Sequence, residues 1–194
     1  MTQPMRLVVG MSGASGAVLG IRLLEVLAGI DSVETHLVVS PAARITISDE
    51  TERSLKEVEA LADVVYNPQD VGAAIASGSF DTDGMVVIPC SIKTLSAVAN
   101  CYAGDLLSRA ADVTLKEGRP LLLVVRETPL HLGHLPLMVQ VAEMGAVIFP
   151  PVPAFYARLS SVDEMVDNTV GRVLARLGVD NRLYTQWQGL GTLP

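Results

Sequence analysis

Apolar residues fall along this chain in two alternating rhythms. Nearly continuous apolar runs occur at Arg6–Met11, Val33–Val39, Gly84–Pro89, Leu121–Val125 and Ala146–Phe149. Such runs predict strands covered on both faces. Between them, apolar positions recur every three or four residues over Gly16–Leu27, Ala42–Asp49, Leu55–Leu61, Leu106–Lys116 and Leu135–Met144. That spacing predicts helices with one apolar face. Pro136 suits the first turn of the last of these. A final long helix starts at the capping-box sequence Ser161-Val-Asp-Glu164. It carries Met165, Val166, Val170, Val173, Leu174 and Leu177 on one broad face and ends at Gly178. Strands alternating with helices predict an α/β fold with a mostly parallel sheet. There is no repeat, low-complexity stretch or linker, and Pro150-Pro151-Val-Pro153 reads as a stiff loop, not a domain boundary. One domain over residues 1–194 is the expectation.

Composition narrows the class. The chain has 194 residues, enough for a sizeable core. It is 49% hydrophobic and 18% charged, with mean hydropathy +0.41, which is apolar for a monomer. No window holds the ~18 uninterrupted apolar residues of a membrane span. Subunit interfaces in a homo-oligomer account better for the excess. The N-terminus does not read as a secretory signal. A net charge of −7 argues against a nucleic-acid surface. Two cysteines without metal-ligand spacing fit a reduced, cytoplasmic protein. Cys90 reads as a small residue in a tight turn.

The segment with most chemical content is Gly10-Met-Ser-Gly-Ala-Ser-Gly16, placed between a strand and a helix. A glycine-rich turn at a helix N-terminus offers outward N–H groups and a favourable dipole to an anion, usually a phosphate. Glycines let the backbone approach the ligand, and Ser12 and Ser15 add hydroxyl donors. The same turn also serves simply to join strand to helix, and both readings stand. Its G-x-x-G-x-x-G spacing is not that of dinucleotide folds, and the second strand ends at neutral Ser40 rather than at an acid. It is not a nucleophile elbow either, so Ser15 reads as a binding or proton-handling hydroxyl. In parallel sheets, ligands sit beyond the carboxyl ends of the strands. The residues there are Ser12 and Ser15, Ser40, Ser91-Ile-Lys-Thr94, Arg126-Glu127 and Tyr156-Ala-Arg158. His131 and His134 are spaced as H-x-x-H but lack an evident third ligand, so no metal is expected.

Across nearly the whole chain, these residues belong to segments that closely resemble one family. The segments are Met11-Ser-Gly-Ala-Ser-Gly16, Glu34-Thr-His-Leu-Val-Val-Ser40, Asp49-Glu-Thr51, Ser77-Gly-Ser-Phe80 and Pro89-Cys-Ser-Ile-Lys-Thr94. They continue with Arg109-Ala-Ala-Asp112, Leu115-Lys-Glu117, Arg126-Glu-Thr-Pro129, Pro153-Ala-Phe-Tyr156 and Trp187-Gln-Gly189. The family is that of the UbiX-type flavin prenyltransferases, once described as phenylacrylic acid or polyprenyl-hydroxybenzoate decarboxylases. The resemblance implies a three-layer fold of flavodoxin-like or Rossmann-like type and an FMN-binding homo-oligomer, typically a dodecamer. It implies transfer of a dimethylallyl group from dimethylallyl phosphate to N5 and C6 of reduced FMN, with no metal. The product, prenylated FMN, goes to a UbiD-type decarboxylase.

The resemblance also implies roles. Gly13, Ala14 and Ser15 match the flavin-binding turn. Ser40, Ser91, Ile92, Lys93, Thr94 and Arg126 match further FMN contacts. Tyr156, Arg172, Lys116 and Arg109 match the prenyl-phosphate site. Glu127 would manage a proton on the leaving phosphate, and Glu50 would help remove the C6 proton with Ser15 near N5. Trp187 would offer a π-face to an allylic cation. Plainer readings stand beside these: helix capping for Ser91 and Thr94, an i,i+4 partner of Asp112 for Lys116, an ion pair with Arg126 for Glu127, and a tail anchor for Trp187. Arg172, near an apolar face, is costly unless paired. Pro41 stands where the family commonly has Lys, so a positive charge near the flavin is lost.

Two other functions are compatible with the fold. One is a flavin-dependent cysteine decarboxylase, whose P-A-S-A-N-T segment corresponds to Pro89-Cys-Ser-Ile-Lys-Thr94, with Lys93 replacing the catalytic Asn. The other is a non-catalytic FMN-binding regulator, in which Glu50, Lys116, Glu127, Tyr156, Arg172 and Trp187 would have been free to decay.

Overall fold

The strands β1 (Met5–Met11), β2 (Val33–Val39), β3 (Val64–Tyr66), β4 (Gly84–Cys90), β5 (Leu121–Val125) and β6 (Val147–Ile148) form one sheet. Their order is β3-β2-β1-β4-β5-β6, and every neighbouring pair is parallel. The computed structural model describes residues 3–189. The chain divides into two compact units between Pro150 and Pro151, and the sheet lies wholly in the first. After β1 the sheet grows to one side, and after β4 to the other. The switch point between β1 and β4 is where such sheets bind ligands.

Helices α1 (Ala17–Leu27), α2 (Pro41–Glu50), α3 (Leu55–Glu59), α4 (Ile92–Ala99), α5 (Leu106–Lys116) and α6 (His134–Glu143) complete the first unit. The second carries α7 (Val162–Arg176). Every residue of β4 and β5 is buried, as their unbroken apolar runs require. Val8, Val87, Leu107 and Leu121 belong to a core cluster that also includes α4 residues Leu95 and Val98. The predicted elements lie within two residues of those observed. Neither β3 nor the extent of α4 was predicted, although a helix start was read at Ser91: the three residues of β3, at a sheet edge, carry too little periodicity to stand out from a loop. The expected capping box of α7 is half formed. Ser161 Oγ accepts from Glu164 N (3.1 Å), but the Glu164 carboxylate accepts from Ser160 N (2.6 Å) instead.

Gly20 sets the height of the glycine-rich turn. A Cβ there would lie 2.5 Å from the backbone oxygen of Ile88, so only glycine lets α1 lie this close to β4. The turn that precedes α1 is thereby held over the switch point.

Within the sheet, His36 is 2% exposed and lies between Tyr66 and Phe80. Its Nδ1 is 2.9 Å from the Tyr66 hydroxyl and its Nε2 is 2.8 Å from Glu34 Oε1. Burial pushes its pKa below the ordinary value and outweighs the opposing pull of Glu34; Arg6 adds to the lowering and Asp63 opposes it. The folded chain thus prefers neutral imidazole, while the unfolded chain takes up a proton near pH ~6.5. The contribution is full above that pH and is lost as pH falls from there toward the folded pKa. We expect the urea midpoint to fall between pH 7 and pH 5, with part of that slope missing in His36→Gln. An identical slope in the variant would assign the pH dependence elsewhere.

Candidate active site

Four strand ends meet at the switch point, and hydrogen bonds tie their turns together. Ser12 is 1% exposed. Its N–H (3.2 Å) and hydroxyl (2.9 Å) both donate to Pro89 O, and its Oγ accepts from Ser91 N (2.7 Å). Ser40 N donates to Met11 O (3.0 Å) and Arg126 N to Cys90 O (3.1 Å). Ser12, read from sequence as a donor to a ligand, instead joins the β1 turn to the β4 turn.

The glycine-rich turn holds an anion, but the anion is the protein's own. Gly16 caps α1 with φ 104, a conformation that suits glycine, and offers no side-chain cap. Glu50, from the end of α2, supplies the missing acceptor. Its Oε2 accepts from Gly16 N (2.8 Å) and Ala17 N (2.9 Å). Burial raises the Glu50 pKa, but the amides of Ala17 and Gly16, the Ser15 hydroxyl and the Arg126 charge together hold it below the usual carboxylate range. Ala14 is buried and its N–H donates to Ser12 O (2.9 Å). Gly13 packs on α2 so closely that a Cβ would lie 2.3 Å from that of Ala42. A second carboxylate-sized anion therefore has no free amide at Ala14, Gly16 or Ala17.

The α4 N-terminus is different. Ser91 caps it, accepting from Thr94 N (3.3 Å), with the two hydroxyl oxygens 3.2 Å apart. Ser40 caps α2 by accepting from Ala43 N (3.1 Å), with Pro41 at the first helical position. The capping reading of Ser91 is thus realised. A hydroxyl that accepts from an amide still has its own hydrogen to donate. The first amides of α4, Ile92 and Lys93, have no partner inside the helix, and none elsewhere among the described residues. Lys93 lines a cavity of about 600 Å³ with Ser96, Asn100, Tyr102, Asp105 and Ser108.

Arg126 and Glu127 follow β5 and are both exposed. Among the described residues they form no ion pair with each other. Glu127 Oε1 accepts from Thr128 N (3.0 Å). Cys90 is fully buried, and burial pushes its thiol up to about 12, which removes it as a nucleophile.

Lys116 lies apart from this mouth. Lys116 ends α5, just before β5 begins, and pairs with Glu117. Asp112 pairs with Arg109 (2.7 Å), so the expected Asp112–Lys116 pair does not form. Arg109 Nε also donates to Ala76 O (3.1 Å). Gly78, to which no role was assigned, packs here: a Cβ there would lie 2.6 Å from Lys116 Nζ. Lys116 is therefore at the amino end of the sheet, whereas Ser12, Ser40, Ser91 and Arg126 are at the carboxyl end. At ~3.3 Å per residue, a seven-residue strand such as β4 separates those ends by roughly 20 Å.

The second unit gathers three of the expected residues. The rings of Tyr156 and Trp187 meet edge to face, with centroids 5.4 Å apart. Tyr156 OH donates weakly to Thr185 O (3.5 Å). Arg172 lies on the exposed side of α7 while Val170, Val173 and Leu174 are buried, so its charge stands outside the apolar face. Trp187 is 48% exposed. In the first unit, the rings of His131 and His134 lie close, tilted by 39° with centroids 3.6 Å apart. Among the described residues there is no group of three or more His, Cys, Asp or Glu suited to a metal, and no helix is long and apolar enough to cross a membrane.

The Flavoprotein family model matches residues 1–174. The flavin prenyltransferase UbiX of Escherichia coli K12 is 60% identical over 186 residues, covering 95% of this chain and 98% of that relative. The solved structure of AnUbiX in complex with FMN and dimethylallyl pyrophosphate superposes with a TM-score of 0.94 at 50% identity, over 96% of this chain and 99% of that one. A dodecameric FMN-dependent UbiX-like decarboxylase from Escherichia coli O157:H7 has a TM-score of 0.94 at 51% identity, over 95% and 100% of the two chains. The FMN-dependent cysteine decarboxylase SpaF, at 20% identity and a TM-score of 0.60, shares the fold alone. With the family model matching residues 1–174 and a flavin prenyltransferase UbiX 60% identical over 95% of the chain, the chain belongs to the Flavoprotein family and, within it, to the UbiX flavin prenyltransferases.

Proposed function

We propose that this chain binds FMN at the carboxyl ends of its strands and transfers a dimethylallyl group from dimethylallyl phosphate to N5 and C6 of the reduced flavin. The observation that carries the reading is the α4 N-terminus. Two amides without acceptors among the described residues, the Ser91 and Thr94 hydroxyls, and a helix dipole converge at the switch point. That donor set fits a phosphate, and Arg126 adds a planar fork for phosphate or flavin oxygens. Reduced FMN supplies the electron-rich N5 and C6 that the allyl group joins.

The chain's own residues do the rest. Without a metal, departure of phosphate needs cationic donors, which Arg172, Lys116 and Arg109 provide. Glu127 manages the proton on the leaving phosphate. Glu50 stays ionised at neutral pH because two amides and a hydroxyl hold its charge. It is thus in the form needed to accept the C6 proton, with Ser15 beside it. The aromatic faces of Tyr156 and Trp187 favour an allylic cation over water. Because Lys116 lies at the far end of its own sheet, it serves the site of a neighbouring subunit in a homo-oligomer, which we take to be a dodecamer. The product passes to a UbiD-type decarboxylase in the cytoplasm.

Anaerobic incubation with reduced FMN and dimethylallyl phosphate is expected to raise the flavin mass by one C5H8 unit. Protein that demonstrably binds FMN yet yields no adduct would overturn the reading.

A further inference from the structure

Asn181 fastens the segment that follows α7 back onto that helix. Its Nδ2 donates to Gly171 O (2.9 Å) and to Val179 O (3.2 Å), and its Oδ1 accepts from Leu183 N (3.1 Å). One side chain thus closes a turn and grips a mid-helix carbonyl. Gly171 makes the approach possible. A Cβ at this buried position would lie 2.8 Å from Asn181 Oδ1, 2.9 Å from Leu183 Cβ and 3.1 Å from the Leu183 carbonyl carbon. The last is backbone, so no rotation of a side chain relieves it. The segment therefore lies directly on α7, one residue from Arg172.

The other end of the same segment carries the aromatic pair. Trp187 meets Tyr156 edge to face, and Thr185 O faces the Tyr156 hydroxyl. From Asp180 to Gln188, the described residues make no backbone–backbone hydrogen bond. Among the described residues the hydrogen bonds of this stretch all involve side chains, and Asn181 makes three of them.

We propose that Asn181 is a positioning residue for prenyl-donor binding. By fixing the segment at Gly171, it sets where Trp187 and Tyr156 stand relative to Arg172. The inference rests on the reading that these three residues hold the donor. Asn181 itself touches neither phosphate nor allyl group.

Trp187 is the chain's one tryptophan, so its fluorescence reports this segment. The test uses full-length Asn181→Ala, saturating reduced FMN and dimethylallyl phosphate. Acrylamide quenching of Trp187 should rise. KM for dimethylallyl phosphate should rise roughly tenfold with kcat changed less than about threefold, since small misplacements at a site cost up to about 10²-fold. Asn181→Asp keeps the acceptor for Leu183 N but sets an oxygen against Gly171 O. It should shift both readouts the same way, and it carries the test if the alanine variant does not fold. Trp187→Ala, measured alongside, separates two failures. Unchanged KM in the Asn181 variants with impaired Trp187→Ala overturns the latch. Unchanged KM in all of them overturns the placement of the donor at this segment, and the latch's role with it.

Discussion

Replacing Glu127 by glutamine is expected to slow formation of prenylated FMN by about 10²–10⁴-fold, the range for positioned acid–base groups. The variant should still fold, assemble and bind FMN. Glutamine keeps an oxygen to accept from Thr128 N, the one hydrogen bond Glu127 makes among the described residues. The competing reading gave Glu127 an ion pair with Arg126, whose loss would weaken flavin binding or stability. No such pair is present among the described residues, and the Arg126 charge acts on Glu50 instead. Glutamine is neutral and cannot exchange a proton near neutral pH. Single-turnover kinetics with FMN saturating isolate that loss. A wild-type rate of adduct formation would reject the role.

The sheet was legible because β4 and β5 are buried on both faces, and their residues read as unbroken apolar runs. Helix starts were legible at Ser91 and Ser161, whose hydroxyls do cap as their positions imply. β3 escaped because pairing with β2, not its own sequence, makes it a strand. The site was legible as a set of residue types at strand ends, but not as geometry. Sequence cannot tell that Glu50 reaches from α2 to close the turn at Gly16, since 34 positions separate them. Nor can it tell that the Ser12 hydroxyl turns inward to Pro89. A glycine-rich turn announces an anion site without saying whose anion fills it. Lys116 shows a different limit. Its helix periodicity was read correctly, yet only the topology reveals that it stands at the amino end of the sheet.

That placement yields the second large effect. Lys116→Ala should use dimethylallyl phosphate less well by about 10–10²-fold, as for loss of one charge-assisted hydrogen bond of ~1.5–3 kcal/mol. We discount larger values because its ammonium is exposed and already faces Glu117. Glu127 stands at the carboxyl end of the sheet and Lys116 at the other, so one subunit cannot bring both to one phosphate. If neighbouring subunits complete each other's sites, the two defects are complementary. Co-expressing Lys116→Ala and Glu127→Gln chains with different tags gives mixed oligomers. In random mixtures, a site drawing Lys116 from one chain and Glu127 from another receives both intact in about a quarter of cases, one half times one half. Purified mixed oligomers should therefore recover about a quarter of wild-type activity, far above either parent. A site built within one subunit cannot be rescued, because every chain then carries a defect. Mixed oligomers no more active than the better parent would return Lys116 to the bland role of a solvated helix end.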